Sequence, residues 1–215
     1  MSSNSGVVAA GLLSPVSSPV PQAKQNSYAN LTGDTRRAKD LAADFHDLMA
    51  KWTALNSQGA QIIAMIANIK IGQVFNMEEG NGQTGTITLP PELGPLCDCL
   101  SDIVEKMSKL EAKMHLKVKT ATGLSSYQQQ YKAHASSSIL FSTMTLQDVA
   151  ETLKTIHEDF EQELQFKREI CRQVAHADSR DMMMFYSSSW MHQPYIRSVC
   201  CDLLEALLVE TGHVR

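Results

Sequence analysis

Apolar residues recur in steps of four and three from Leu41 onward: Leu41, Phe45, Leu48, Trp52, Leu55, Gly59, Ile62, Ile66 and Ile69. That spacing is a heptad seam, which keeps one stripe of a helix against a partner helix. Asp44, Asp47, Lys51, Gln58 and Lys70 fall between the seam positions and suit a solvated face. Gly59 removes a knob from the seam, so a facing side chain or backbone can approach closely there. An interior glycine costs roughly 0.5–1 kcal/mol of helix stability relative to alanine. One helix cannot bury its own stripe, so the rest of the chain or another chain must cover it.

A second seam opens after Pro90-Pro91-Glu92, a helix start with proline and acid in the first turn, and runs Leu93, Leu96, Leu100, Ile103, Met107, Leu110 and Met114. It fades through Val118 into Thr120-Ala121-Thr122-Gly123. Residues 124–144 are polar, with Tyr127, Tyr131 and Leu140-Phe141 as anchors. The third helix opens with Thr145-Leu146-Gln147-Asp148, a variant capping box. Its stripe is Leu146, Val149, Leu153, Ile156, Phe160, Leu164, Lys167, Ile170 and Val174.

Asp178 with Asp181 caps a short segment holding Met182 to Met184, Phe185, Tyr186 and Trp190. Pro194 disfavours helix at Gln193, so the chain breaks at His192-Gln193. Pro194 can also open the next helix, which presents Ile196, Val199, Leu203, Leu204, Leu207 and Leu208 and ends at Gly212. The helices are therefore expected at about 35–75, 91–119, 146–177, 179–191 and 194–211. The fold class is all-α: an elongated coiled-coil-like bundle of three long helices plus a proline-broken fourth.

Composition narrows the function. The 215 residues carry a net charge of −4, which argues against direct nucleic-acid binding as the main task. Five cysteines without a C-x-x-C pair argue against a disulfide framework and favour a reducing cytosolic or nuclear setting. No apolar run is long enough to span a bilayer, and the apolar patch Val7–Leu13 lacks the basic lead-in of a signal peptide. Residues 1–33 hold no acid, one lysine and many serines and prolines; the composition is that of a disordered tail preceding a helical domain at 34–215. Ser14-Pro15 and Ser18-Pro19 make Ser14 and Ser18 candidate phosphorylation sites.

Chemistry is absent from the motifs. Gly80-Asn81-Gly82-Gln83-Thr84-Gly85 spells G-x-G-x-x-G, but a dinucleotide fingerprint needs a strand before it and a helix at its end. His46, His115, His157 and His176 fall on separate segments with no H-x-x-x-H pair. No catalytic residue, cofactor or metal ligand is assigned, and the chain is expected not to be an enzyme. The candidate site is instead partner-binding: Trp190, His192, Gln193, Pro194 and Tyr195, with Trp52 of the first seam. Pro194 frees neighbouring backbone groups from regular pairing, and the aromatic rings are of the type enriched at binding hot spots. The competing reading packs the Trp190 and Tyr195 rings inside, tying the broken helix to the bundle.

The C-terminal blocks Trp190-Met191-His192-Gln193-Pro194-Tyr195 and Leu207-Leu208-Val209-Glu210-Thr211-Gly212-His213 closely resemble the end of the cyclin-dependent kinase 2-interacting protein family. Ala42-Ala43-Asp44-Phe45-His46, Lys51-Trp52, Leu55-Asn56, Gly59, Ala67-Asn68-Ile69-Lys70-Ile71, Leu96-Cys97, Lys167-Arg168 and Ala175-His176 extend the similarity over about residues 38–213. The resemblance implies an adaptor in DNA replication and DNA-damage checkpoint signalling. Its implied partners are a cyclin-dependent kinase, an origin-firing kinase, checkpoint factors and the subunits of a chromatin-associated AAA ATPase complex. That complex is linked to replisome upkeep and large ribosomal subunit maturation. The implied home is the nucleus, with some cytoplasmic presence, and self-association through the seams stays open. The alternative is a structural coiled-coil tether or scaffold subunit outside the nucleus.

Overall fold

A computed structural model describes residues 33–75, 90–131 and 140–214. Ser14, Ser18, the glycine-rich stretch 80–85 and the side chain of Tyr131 lie outside the described residues. Among the described residues all regular structure is helical: α1 (Asp34–Ile69), continued by a π-helical turn over Lys70–Phe75, α2 (Leu93–Tyr131), α3 (Leu146–Gln173), prolonged by a 3-10 turn at Val174–His176, α4 (Arg180–His192) and α5 (Val199–Glu210). Helix α2 packs along both α3 and α1, α4 lies on α1, and α5 lies on α3 and α1.

The buried stripe of α3 is the one expected from the sequence, since Leu146, Val149, Leu153, Ile156, Phe160, Leu164, Lys167, Ile170 and Val174 are all buried. Its start is the expected capping box. The Thr145 hydroxyl accepts from the Asp148 amide (3.2 Å), and Asp148 Oδ2 accepts from the Thr145 amide (2.8 Å). Two amides that a helix start leaves orphaned are thereby paired.

Helix α1 departs from the expected seam after Trp52. Its inward positions run Leu41, Phe45, Leu48, Trp52, Asn56, Gly59, Ile63, Ile66 and Lys70, so Leu55, Ile62 and Ile69 are displaced to the edge of the core. The mean step is about 3.6, the period of a straight helix rather than the 3.5 of a supercoiled heptad. Two polar residues replace apolar ones on the stripe. Lys70, expected on a solvated face, is buried and donates to the Ala175 and Ala177 carbonyls at 2.7 and 2.5 Å. It thus pairs carbonyls left open where α3 ends.

Three boundaries also differ from expectation. Helix α2 does not stop near 119; Val118, Ala121 and Ser125 continue its buried stripe, and Gly123 faces open space. Ser179, not Asp178, caps α4, accepting from the Met182 amide at 3.3 Å. Helix α5 begins at Val199, not at Pro194. Its end is as expected: Gly212 has φ 70°, with Gly212 N donating to the Val209 carbonyl (3.0 Å) and His213 N to that of Leu208 (2.9 Å). That pair of bonds is a Schellman cap.

Candidate functional site

The break between α4 and α5 is built by Pro194. A residue before proline avoids right-handed helix, and Gln193 leaves it entirely, at φ 48° and ψ 66°. Gln193 N still donates to the Ser189 carbonyl (3.2 Å), and its own carbonyl accepts from Ile196 N (3.0 Å), closing a turn with Pro194 in the second position. A left-handed non-glycine residue costs roughly 1–2 kcal/mol. Here the side chain is anchored, because Gln193 Oε1 accepts from Trp52 Nε1 at 2.8 Å.

Proline has no amide hydrogen, so the Trp190 carbonyl has no partner four residues on. Lys167 supplies one. Its ammonium donates to the Trp190 carbonyl (3.0 Å) and to Asn56 Oδ1 (2.7 Å), sits 3.0 Å from Glu163 Oε1, and lies 4.2 Å from the centre of the Trp190 ring. Lys167 and Glu163 are both sealed from solvent. The Glu163 Oε1 contact is an ion pair off the hydrogen-bond line, while Oε2 accepts from Tyr195 N at 3.1 Å. Burial pulls the Lys167 pKa down to about 8, against the attraction of the Glu163 carboxylate. The ammonium therefore stays mostly charged at neutral pH.

One turn earlier on α3, Asp159 holds the other side of the break. It accepts from Arg197 N (3.1 Å), Nε (2.9 Å) and Nη2 (2.8 Å), and from the Cys200 thiol (3.0 Å). Burial alone would raise the Asp159 carboxyl. The bonds from the Arg197 side chain, the Cys200 thiol and the Arg197 amide outweigh it and hold the carboxyl below its ordinary range. Burial, then the Asp159 carboxylate, pushes the Cys200 thiol up to about 12, so it is no nucleophile. Asp159, Glu163 and Lys167 thus form a polar row at four-residue spacing on α3 that clamps residues 190–200 from the inside.

The Trp190 indole occupies the slot that Gly59 leaves open: a Cβ built on Gly59 would lie 2.2 Å from Cζ2 of the ring. Its Nε1 donates to the Asn56 carbonyl at 3.0 Å. Trp52 meets Phe160 edge-on, with centroids 5.0 Å apart. Trp52 and Trp190 are both core, at 1% and 0% exposure, so for Trp190 the competing reading, a ring that ties the broken helix to the bundle, is the one observed. Their rings fill an internal slot and both indole N–H groups are satisfied within the chain. Gln193 is half-buried, whereas His192, Pro194 and Tyr195 are exposed; the Tyr195 ring meets Phe166 edge-on at 5.4 Å.

The outer face of α4 is apolar as well. Met184, Phe185 and Met191 are 58%, 53% and 60% exposed; Met184 and Met191 lie two turns apart on one stripe. Among the described residues no helix is long and apolar enough to cross a membrane. One trio of ligating side chains, Glu111, His115 and His157, comes together between α2 and α3, with the two histidines on separate helices, as expected. Glu111 and His115 are one turn apart in sequence, which was the legible half of that signal; their meeting with His157 depends on packing.

The segments quoted for the family resemblance are distant in sequence yet converge at the break: Trp52, Asn56 and Gly59 from α1, Lys167 from α3, and the block 190–195. No family model matches the chain. It is 33% identical over 189 residues to the cyclin-dependent kinase 2-interacting protein of Xenopus laevis, covering 85% of this chain and 91% of that protein. The proteins of the same name from Bos taurus and Homo sapiens are 31% and 30% identical, with 85% of this chain and 92% of theirs aligned. Identity at this level over nearly the whole of the relatives places the chain in their family: it belongs to the cyclin-dependent kinase 2-interacting proteins.

Proposed function

We propose that the protein is a non-enzymatic adaptor that binds a cyclin-dependent kinase. Family membership carries this reading, since relatives named for interaction with cyclin-dependent kinase 2 align with 85% of the chain. The internal chemistry supports it. The groups with the most displaced pKa values, Lys167 and Cys200, have their protons committed to partners inside the fold. Perturbed groups mark active sites when they face a cleft, and these face helix backbone and a carboxylate instead.

The finer reading follows the resemblance. The adaptor serves DNA replication and DNA-damage checkpoint signalling in the nucleus, contacts an origin-firing kinase and checkpoint factors, and joins a chromatin-associated AAA ATPase complex active in replisome upkeep and large ribosomal subunit maturation. The helices of residues 33–214 form an elongated bundle, a reading supported by lengths of 36, 39 and 28 residues that reach roughly 40–60 Å at 1.5 Å per residue. The kinase contact is the outer face of α4, with Met184, Phe185 and Met191, and the adjoining corner of His192 and Tyr195. Exposed methionine and aromatic side chains adapt to a partner surface, while the inner clamp fixes the corner's backbone.

Purification of the tagged full-length protein from cells, with stoichiometric partners identified by mass spectrometry, tests the reading. Recovery of a cyclin-dependent kinase with AAA ATPase subunits from the nuclear fraction is expected. Recovery of cytoplasmic tethering partners alone, with no kinase, would overturn it in favour of the scaffold alternative.

A further inference from the structure

Among the described residues the interface between α2 and α3 is the most extensive, and three polar side chains meet in it. Glu111 and His115 stand one turn apart on α2, and His157 of α3 faces both. His157 Nε2 lies 2.8 Å from Glu111 Oε1, and the rings of His115 and His157 are 5.2 Å apart, tilted by 42°. One donor atom from each of the three falls within 4.8 Å of the others. His157 is buried, Glu111 is partly covered and His115 is exposed, so the trio grades from core to solvent.

From this arrangement we infer that Glu111, His115 and His157 form a zinc-binding site clipping α2 to α3. A histidine–carboxylate pair alone would bridge the two helices with one hydrogen bond. His115 adds a second imidazole from the solvent side, on the face that Glu111 already shares. Two imidazoles and one carboxylate suit zinc among the common divalent ions, whereas calcium and magnesium take oxygen ligands. At metal–ligand distances of about 2.0–2.1 Å, tetrahedral donors stand about 3.3 Å apart. The donor atoms, within 4.8 Å of one another, would close to that spacing on binding, with the exposed His115 side chain the one to move. The three protein ligands leave the fourth position for water on the exposed side. Nε2 of His157 must offer a lone pair to the metal in place of its hydrogen bond with Glu111.

The test uses the metal-stripped full-length protein titrated with cobalt(II) as a spectroscopic probe and then with zinc, alongside melting curves. The site predicts one equivalent bound, the intense visible ligand-field bands of four-coordinate cobalt without a thiolate charge-transfer band, and a rise in melting temperature with zinc. His115→Ala, at an exposed position, should weaken binding at least about tenfold while leaving the metal-free melting temperature unchanged. Glu111→Gln should weaken it comparably. Absence of one-equivalent binding, a thiolate signature, or undiminished affinity in either variant overturns the site.

Discussion

On the inner face of α4, Met183 and Trp190 are sealed from solvent, whereas on its outer face Met184, Phe185 and Met191 each leave more than half their surface in water. Hydrophobicity does not separate the two faces; connection does. Trp190 is seated by a missing side chain at Gly59, a backbone acceptor at Asn56 and a cation at Lys167, all on other helices. Among the described residues no other helix offers the outer side chains such a socket. Apolar content in a short helix therefore reports burial only when complementary gaps and polar partners exist elsewhere in the chain. The inner face holds the fold together, and the proposed kinase contact falls on the outer one.

The largest effects should come from emptying the inner face. Trp190→Ala removes the ring and leaves a cavity at the Gly59 slot, for an expected loss of about 3–5 kcal/mol. Lys167→Met should cost about as much, because Glu163 would remain buried and uncompensated. Chemical denaturation of both variants checks this. A loss below about 1 kcal/mol for Trp190→Ala would mean that the ring is not the anchor described.

Gly59→Ala comes next. The added methyl would meet the rigid indole at 2.2 Å, so the ring must shift or α1 must yield, at about 1–3 kcal/mol. The diagnostic is the pair Gly59→Ala with Trp190→Ala. Once the ring is gone the alanine should be neutral or stabilising, as an interior helix position gains up to about 1 kcal/mol from glycine to alanine. Simple additivity of the two losses would contradict the slot.

A pH-dependent effect of similar size attends the far end of the clamp. The Asp159 carboxyl is held below its ordinary range in the folded protein. Its contribution is therefore present at pH values above its unfolded pKa and is lost as the pH falls through the folded value. Asp159→Asn should cost about 1–3 kcal/mol at neutral pH, since the donors of Arg197 and Cys200 lose a charged acceptor. It should also flatten the acid limb of the stability curve. An unchanged acid limb would show that the carboxylate does not sense folding.

The inner row was legible to different degrees along the chain. The α3 stripe could be read in full because its positions are apolar apart from Lys167, and the capping box fixed its start. The α1 seam could be followed only to Trp52, because Asn56 and Lys70 take inward places that hydrophobic periodicity assigns to neighbours. Gly59 was recognisable as a place of close approach, but its occupant, Trp190, lies 131 positions further on. The break at Gln193 follows from Pro194. The delayed start of α5 does not, because it depends on Asp159 holding Arg197 and Cys200. The trio at Glu111, His115 and His157 shows the same limit, since local spacing revealed one pair and packing supplied the third member.

The smallest expected change in stability belongs to the outer face, and it carries the central claim. Met184→Ser, Phe185→Ser and Met191→Ser combined in the full-length protein remove mostly exposed apolar surface, with the ring contact of Phe185 to Tyr186 the main interaction lost. Surface changes of this kind stay within about 0.5 kcal/mol each. The decisive measurement is the affinity of purified cyclin-dependent kinase 2 for this variant and for the unaltered protein, taken with their melting temperatures. Binding to the unaltered protein, with a loss of at least about tenfold in the variant at a nearly unchanged melting temperature, is predicted. No measurable binding to either, or equal affinity for both, would contradict an adaptor that meets its kinase on the outer face of α4.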